Sequence, residues 1–438
     1  MGLAGGPKGA KAVFKDKFAH AFREFQNLVS VRQEVGVSRA QTLNVVDGNV
    51  LVMQCPTSID TFDGYLEFMA GQLHRAIAAA GHVVVVFDEP ENLTLAKRAE
   101  QQKRDERRKP LTPICSPDLS ACPTDDNYTA KDLRWAGLNV RLLLNHRPAR
   151  SRFYDGLCSA VLARLKESLE GGEWSLTFDG IDPRGADRPV GEPRRACILS
   201  SHPELFVPLL TREVSIGEGD LKLRDVPERV RKADLGIVLN LVTTIDTDSL
   251  AIELIGQAAH DKAGETDHLT LLCLKETSRK REGGDYKPGG FLCVDMEILL
   301  SEVLGFLRVP QAAQQNAISL LAGALALCGC DFVAVKGLNA HDVLSCVRDV
   351  ARRKPELLAK VGGVREGDAQ MAKGAVEALE EVLEAYIAAL EGKPRGKKTA
   401  ATVSTYTEID LERAVWVMSY WSGVEYKDVS EFGFSIKI

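Results

Sequence analysis

Long apolar runs are missing from this sequence: none reaches the roughly 18 residues of a membrane-spanning helix. No signal peptide opens it either, so membrane insertion and export are not expected. The chain has 10 cysteines but no CxxC pair and no histidine partner at zinc spacing. Cys328-Gly329-Cys330 is too closely spaced for a standard structural zinc pair. Cys158, Cys273, Cys293 and Cys346 lie inside apolar runs and read as buried small hydrophobes, which suits a reducing intracellular compartment, cytoplasm or nucleus. The basic start, Met1 to Lys17, leaves an organellar address open. Aromatics make up only 6%, so no base-stacking platform stands out. Positive charge is not in excess: the formal net charge is −6. This does not advertise a nucleic-acid binder and does not exclude one, since a local basic groove, such as Lys97 to Lys109, would suffice.

The chain does have acids at the ends of apolar runs: Asp88, Glu218, Asp220, Asp246, Asp248 and Asp331. His82 to Phe87 is β-branched and apolar without polar alternation, the pattern of a strand buried on both faces of a parallel sheet, with Asp88 at its C-terminal end. Leu235 to Val242 repeats the pattern and leads into Asp246-Thr247-Asp248. In open α/β sheets the carboxyl ends of the strands form the ligand crevice, so such acids tend to converge there. Oxygen ligands without Cys or His suit Mg²⁺ or Mn²⁺ rather than zinc. Acids around two such ions can activate a water and hold the leaving oxygen of a phosphodiester. For any single Asp, the competing reading is a helix cap or a solvated surface acid.

The remaining pattern suggests one α/β core followed by a helical part. Asn49 to Met53 reads as the first buried strand, Phe62 to Ala80 and Leu93 to Arg108 as helices, and Pro110 to Asn127 as a loop. Phe153 to Leu169 reads as a helix and Trp174 to Phe178 as a strand. Gly180 to Arg195 reads as an exposed connection, and Leu269 to Leu274 and Phe291 to Val294 as strands. Helices follow over Gln311 to Leu327, His341 to Val361 and Asp368 to Leu390, then a basic linker from Gly392 to Ala401 and a last helix, Ile409 to Trp421. The expected division is a core over 1–309 with insertions near 110–150 and 180–212, a helical region over 310–391 that completes it, and a linker with a C-terminal helix and tail over 392–438.

Five motifs in order resemble the superfamily of flap endonucleases and 5′→3′ exoribonucleases. Val86-Phe87-Asp88 with Leu95-Ala96-Lys97-Arg98 resembles its second acidic motif and the basic helix after it. Gly217-Glu218-Gly219-Asp220 is similar to the exoribonucleases' Gly-Glu-Gly-Glu signature, with Asp in place of the last Glu. Asp246-Thr247-Asp248 matches the paired-Asp motif, and Gly329-Cys330-Asp331-Phe332 the Gly-x-Asp-Phe/Tyr motif. Trp416 to Trp421 is similar to a Trp/Tyr-rich helix late in the exoribonuclease core.

The resemblance implies a PIN-like core, with a central, largely parallel sheet flanked by helices, and a helical C-terminal part. It implies a metal-dependent 5′-nuclease acting on single-stranded RNA or DNA. One ion would be held by Asp88, Glu218 and Asp220 with help from Gln54, and the other by Asp246, Asp248 and Asp331, cleavage leaving a 5′-phosphate and a 3′-hydroxyl. Phosphate would be received by Lys97, Gln101 and Arg104, one helix face, together with Arg98. In the family an Asp ends the first strand and binds metal; on the strand reading above, that place falls to Gln54, which offers only a neutral carbonyl. Gln54, the interrupting Asp105, and a hairpin turn at Lys336 to Ala340 that keeps only Gly337 carry the alternative. That alternative is a catalytically reduced nucleic-acid-binding or scaffold subunit of a larger assembly. RNA or DNA, the need for a 5′-phosphate, the oligomeric state and the protein partners stay open.

Overall fold

The computed structural model describes residues 3, 9–107, 144, 147–169, 173–184, 192–195, 197–213, 216–263, 268–276, 279–280, 286–287, 289–362, 369–390 and 396–423. The chain is α/β with a helical C-terminal part. Among the described residues, its strands are β1 (Phe22–Phe25), β2 (Thr42–Asp47), β3 (His82–Val86), β4 (Ser175–Ile181), β5 (Cys197–Ser200), β6 (Leu239–Thr244), β7 (Leu269–Lys275), β8 (Arg279–Lys280), β9 (Tyr286–Lys287) and β10 (Phe291–Asp295). No helix among the described residues is long and apolar enough to cross a membrane.

The chain divides into two compact units. Unit 1 comprises Met1–Gln26, Thr94–Gln102 and Thr244–Ile438; unit 2 comprises Asn27–Leu93 and Lys103–Thr243.

In unit 2 the strands lie in the order β6-β2-β3-β4-β5, parallel except for the β4/β5 pair. Every residue of β2 and β4 is buried, as is the Val run of β3, because helices cover the sheet. Tyr65, Met69, Leu73 and Ile77, spaced along the helix Phe62–Ala79, pack with Val83, Val85, Phe153, Leu157 and Val161 into one core. Asn44, in the middle of β2 and wholly buried, accepts a hydrogen bond from Thr243 Oγ1 on β6 at 2.8 Å. Its side-chain oxygen is thereby satisfied across the sheet, while the buried Nδ2 is left without a partner.

The first strand is therefore Thr42–Asp47, and Asn49 to Met53 belongs to a helix, Gly48–Met53. Asp47 caps that helix, its Oδ1 accepting from Val50 N at 3.1 Å. Gly48 makes the turn possible, since a Cβ there would lie 2.5 Å from the Phe87 ring. Gln54 is the C-cap residue of this helix and does not end a strand. The segment from Gly180 to Arg195 also differs from the expected exposed connection. Ile181 completes β4, and Arg194 is buried, its Nη2 2.9 Å from Asp155 Oδ1.

In unit 1, β1 pairs with β10 and β10 with β7, both antiparallel. The helix Gln314–Leu327 is buried from Ala317 to its end and packs against the helices Asp248–Ala263, Pro355–Gly362 and Glu408–Trp421. The single helix expected over His341 to Val361 is two, Ala340–Arg353 and Pro355–Gly362. Pro355 opens the second and disfavours helical backbone at Lys354, which sits at φ −132, ψ 60. Gly396–Val403, expected as a linker, is helical.

Candidate functional site

The predicted acids fall into two sets, one in each unit. In unit 2, β2 and β3 run parallel with Asp47 opposite Val86, so Asp47 ends β2 and Asp88 follows the end of the neighbouring strand. Asp47 is 5% exposed and was missed by the sequence reading. Its signal is an acid followed by glycine after an apolar run, the start of a capped helix.

The helix Gly219–Lys232 carries the other two acids of this set, with Glu218 as its buried N-cap residue and Asp220 in its first turn. Asp88 Oδ1 accepts from Gly219 N at 2.8 Å, which places its charge at the positive end of that helix. Gly217 lies so close to the backbone after β3 that a Cβ would meet Asn92 O at 2.2 Å, and its carbonyl accepts from Glu89 N at 2.7 Å. The Gly-Glu-Gly run is thus pinned to the segment that carries Asp88. Burial raises the Tyr154 hydroxyl well above its usual pKa, and the charges of Asp88 and Asp47 add to that rise against Arg150.

Behind these acids lies a buried ionic network. Lys222, on the same helix, is wholly buried; it donates to Glu89 and, at 3.1 Å, to Asp179 Oδ1 at the end of β4. Arg212 Nη2 lies 2.8 Å from Asp179 Oδ2 and its Nε donates to Asp225 at 2.7 Å. Burial alone would raise the Asp179 carboxyl, but Lys222 and Arg212 reverse this and hold it below the usual range.

The second set is in unit 1. Asp246 Oδ1 accepts from Asp248 N at 3.1 Å, Asp248 accepts from the backbone N–H of Leu3, and Thr247 Oγ1 donates to Leu3 O at 3.0 Å. Burial pushes the Asp248 carboxyl well up, and the neighbouring Asp246 and Asp331 charges push it further, opposed by the Leu3 N–H and by Lys97. Lys97 Nζ stands 3.6 Å from Asp331 Oδ2 and 5.5 Å from the centre of the Phe332 ring. Phe332 meets Trp416 edge-on at 4.8 Å, and Trp416 stacks on Tyr420 at 4.8 Å.

The expected phosphate-receiving face is only partly a solvent face. Lys97 and Gln101 are buried and Arg98 is exposed, while the Arg104 side chain lies outside the described residues. Lys97 is drawn inward because Asp331 offers it an opposite charge and Phe332 a ring face.

Both sets consist of carboxylates alone, the donor chemistry of a hard divalent cation. The crowding of Asp246, Asp248 and Asp331 concentrates negative charge that such a cation would relieve. Among the described residues, no three carboxylate, His or Cys side chains are drawn together closely enough to form a ready-made metal site, so the fit is one of charge and donor type. No protein-family model matches the chain, and no curated protein matches it.

Proposed function

We propose that this chain is a divalent-metal-dependent 5′-nuclease of the 5′→3′ exoribonuclease type, with a PIN-like core, hydrolysing phosphodiester bonds of single-stranded nucleic acid. The observation that carries this reading is Asp47. The acid that the family resemblance requires at the end of the first strand stands there, buried, beside the strand that leads to Asp88. The case for a catalytically reduced subunit leaned on Gln54 taking that place, and Asp47 removes this support.

Asp47, Asp88, Glu218 and Asp220 would hold one Mg²⁺ or Mn²⁺ ion, and Asp246, Asp248 and Asp331 another. Bound there, such ions supply an activated water and charge neutralisation at the leaving oxygen. The protein's own part is positioning. Gly219 N fixes the direction of the Asp88 carboxylate, Lys222 anchors the helix that carries Glu218 and Asp220, and Asp246 orients the backbone of Asp248. Lys97 tempers the charge of Asp331, and the exposed Arg98 offers a guanidinium to a phosphate.

The test is cleavage of 5′-labelled single-stranded RNA and DNA with Mg²⁺, with Mn²⁺ and with EDTA. Stepwise loss of 5′ nucleotides that depends on the metal and is abolished by Asp248→Asn is expected. Binding without cleavage in either metal would overturn the nuclease reading in favour of a nucleic-acid-binding subunit.

A further inference from the structure

β7 and β10, both in unit 1, carry one cysteine each at the same level of their antiparallel ladder. Cys273 and Cys293 are direct partners in the register, and their Sγ atoms lie 3.3 Å apart. The ladder shows which kind of pair this is. Glu276 N donates to Gly290 O, so the hydrogen-bonded positions, taken at every second residue from there, are Glu276/Gly290, Leu274/Leu292 and Leu272/Val294. Cys273 and Cys293 therefore form a non-hydrogen-bonded pair. At such positions the Cα atoms stand about 4.5 Å apart, inside the range of about 4.4–6.8 Å that a disulfide spans. Side-chain rotation is enough to close the remaining gap between the sulfurs.

The two faces of this part of the sheet differ in cover. Leu272, Leu274, Leu292 and Val294, on one face, are sealed in the core. On the other face the two cysteines are buried but flanked by residues that reach solvent: Lys275, Phe291 and Asp295 are half-buried, and Arg23, opposite Cys293 on β1, is exposed. The pair thus lies one layer below the surface, and Cys293, 3% exposed against 0% for Cys273, is the nearer to it. The hydrogen bond shared with Cys293, and then burial, push the Cys273 thiol well above its usual range. Cys273 therefore stays protonated until its neighbour has reacted.

We propose that Cys273 and Cys293 are an oxidation site that hydrogen peroxide closes into a reversible disulfide between β7 and β10. The Cys293 sulfur, as thiolate, attacks one oxygen of the peroxide; the O–O bond breaks, hydroxide leaves and takes up the thiol's proton as water, and a sulfenic acid remains. Cys273 then loses its proton and attacks that sulfur; the S–S bond forms, and the sulfenic hydroxyl leaves with the proton as a second water. The two thiols give up two electrons and two protons, and one peroxide becomes two waters. Two equivalents of a small thiol reverse the step by exchange and leave as their own disulfide. The proposal does not depend on the nuclease reading, because it concerns other residues and is read by mass alone.

The full chain, freshly reduced and freed of reductant, is incubated with hydrogen peroxide at mildly alkaline pH, denatured in N-ethylmaleimide, digested without reduction and mapped by mass spectrometry. The exposed Cys197 serves as the internal control for reaction with peroxide. A linked pair of peptides carrying Cys273 and Cys293 is expected, about 2 Da lighter than the two free peptides together, growing with time and lost on adding dithiothreitol. In Cys293→Ala, oxidation of Cys273 should fall about tenfold, because the more accessible sulfur is gone. The wild-type arm stands by itself: if Cys197 is fully oxidised while Cys273 and Cys293 both remain alkylatable thiols, the proposal falls. It also falls if the two are oxidised without being joined, as separate sulfinic acids, or if either is joined to a different cysteine.

Discussion

The wholly buried Lys222 ammonium donates to Asp179 Oδ1 at 3.1 Å, so a helix and a strand end are tied by a charge pair that water does not reach. Lys222 serves Glu89 as well, and removing its charge would leave two carboxylates short of a cation. Lys222→Met should cost about 3–5 kcal/mol, the range for breaking a buried pair from one side. Urea unfolding followed by circular dichroism measures it. A cost below about 1 kcal/mol, the range of an exposed pair, would show that the network is not the tie described.

Asp47 has two separable roles, and one substitution divides them. Asn caps helices as well as Asp does, so Asp47→Asn should leave stability within about 0.5 kcal/mol of wild type. Metal-dependent cleavage should fall about a hundredfold, the order associated with losing one preorganised electrostatic group. Gln54→Asp should leave cleavage unchanged, because Gln54 is a helix C-cap. The reverse pattern, with Gln54→Asp activating and Asp47→Asn silent, would return the first-acid role to position 54.

Gly48 fixes the turn between these roles. In Gly48→Ala the new methyl would meet the Phe87 ring at 2.5 Å, and overpacking of this kind costs about 1–3 kcal/mol. Thermal melts should show a lowered midpoint, and Phe87→Leu in the same chain should restore part of it. Failure of the second change to rescue would place the strain elsewhere.

His82 sets a pH dependence. Burial lowers its pKa from 6.5, with the His202 charge acting in the same direction and a hydrogen bond to the Ala40 backbone opposing them. The unfolded chain therefore binds more protons than the folded one just below pH 6.5, so stability is full above that pH and is lost as pH falls through the lower folded pKa. Melting midpoints from pH 7.5 down to pH 5 should fall more steeply for wild type than for His82→Gln. Parallel curves would remove His82 from the account.

Much of the architecture is legible in the sequence where a single force acts. The Val run of β3 has no other stable place than a doubly covered strand, and the capped, periodic helix Phe62–Ala79 reads directly. β2 is hidden because Asn44 interrupts its apolar run, and the bond from Thr243 across the sheet meets only the oxygen of that side chain. Asn49 to Met53, more apolar by composition, competes for the strand reading and loses to the Asp47 cap, a local hydrogen bond that hydropathy does not register. Lys97 misleads in the opposite way. On a helix rich in charge it reads as part of a phosphate-receiving face, and its burial depends on Asp331 and Phe332, far along the chain.

The division into units bears on the order of assembly as the chain leaves the ribosome. Unit 2 has all its residues once Thr243 has been made, so its parallel strands can pair while synthesis continues. Unit 1 draws on both ends of the chain: β1 finds its partner only when β10 emerges, and Trp416 reaches Phe332 later still. The apolar side chains of the first helix, Val13 and Phe14 among them, therefore wait uncovered through most of translation. That interval is when a chaperone has most to protect, and the long loop that finally closes over it is the slow, entropy-limited event of folding.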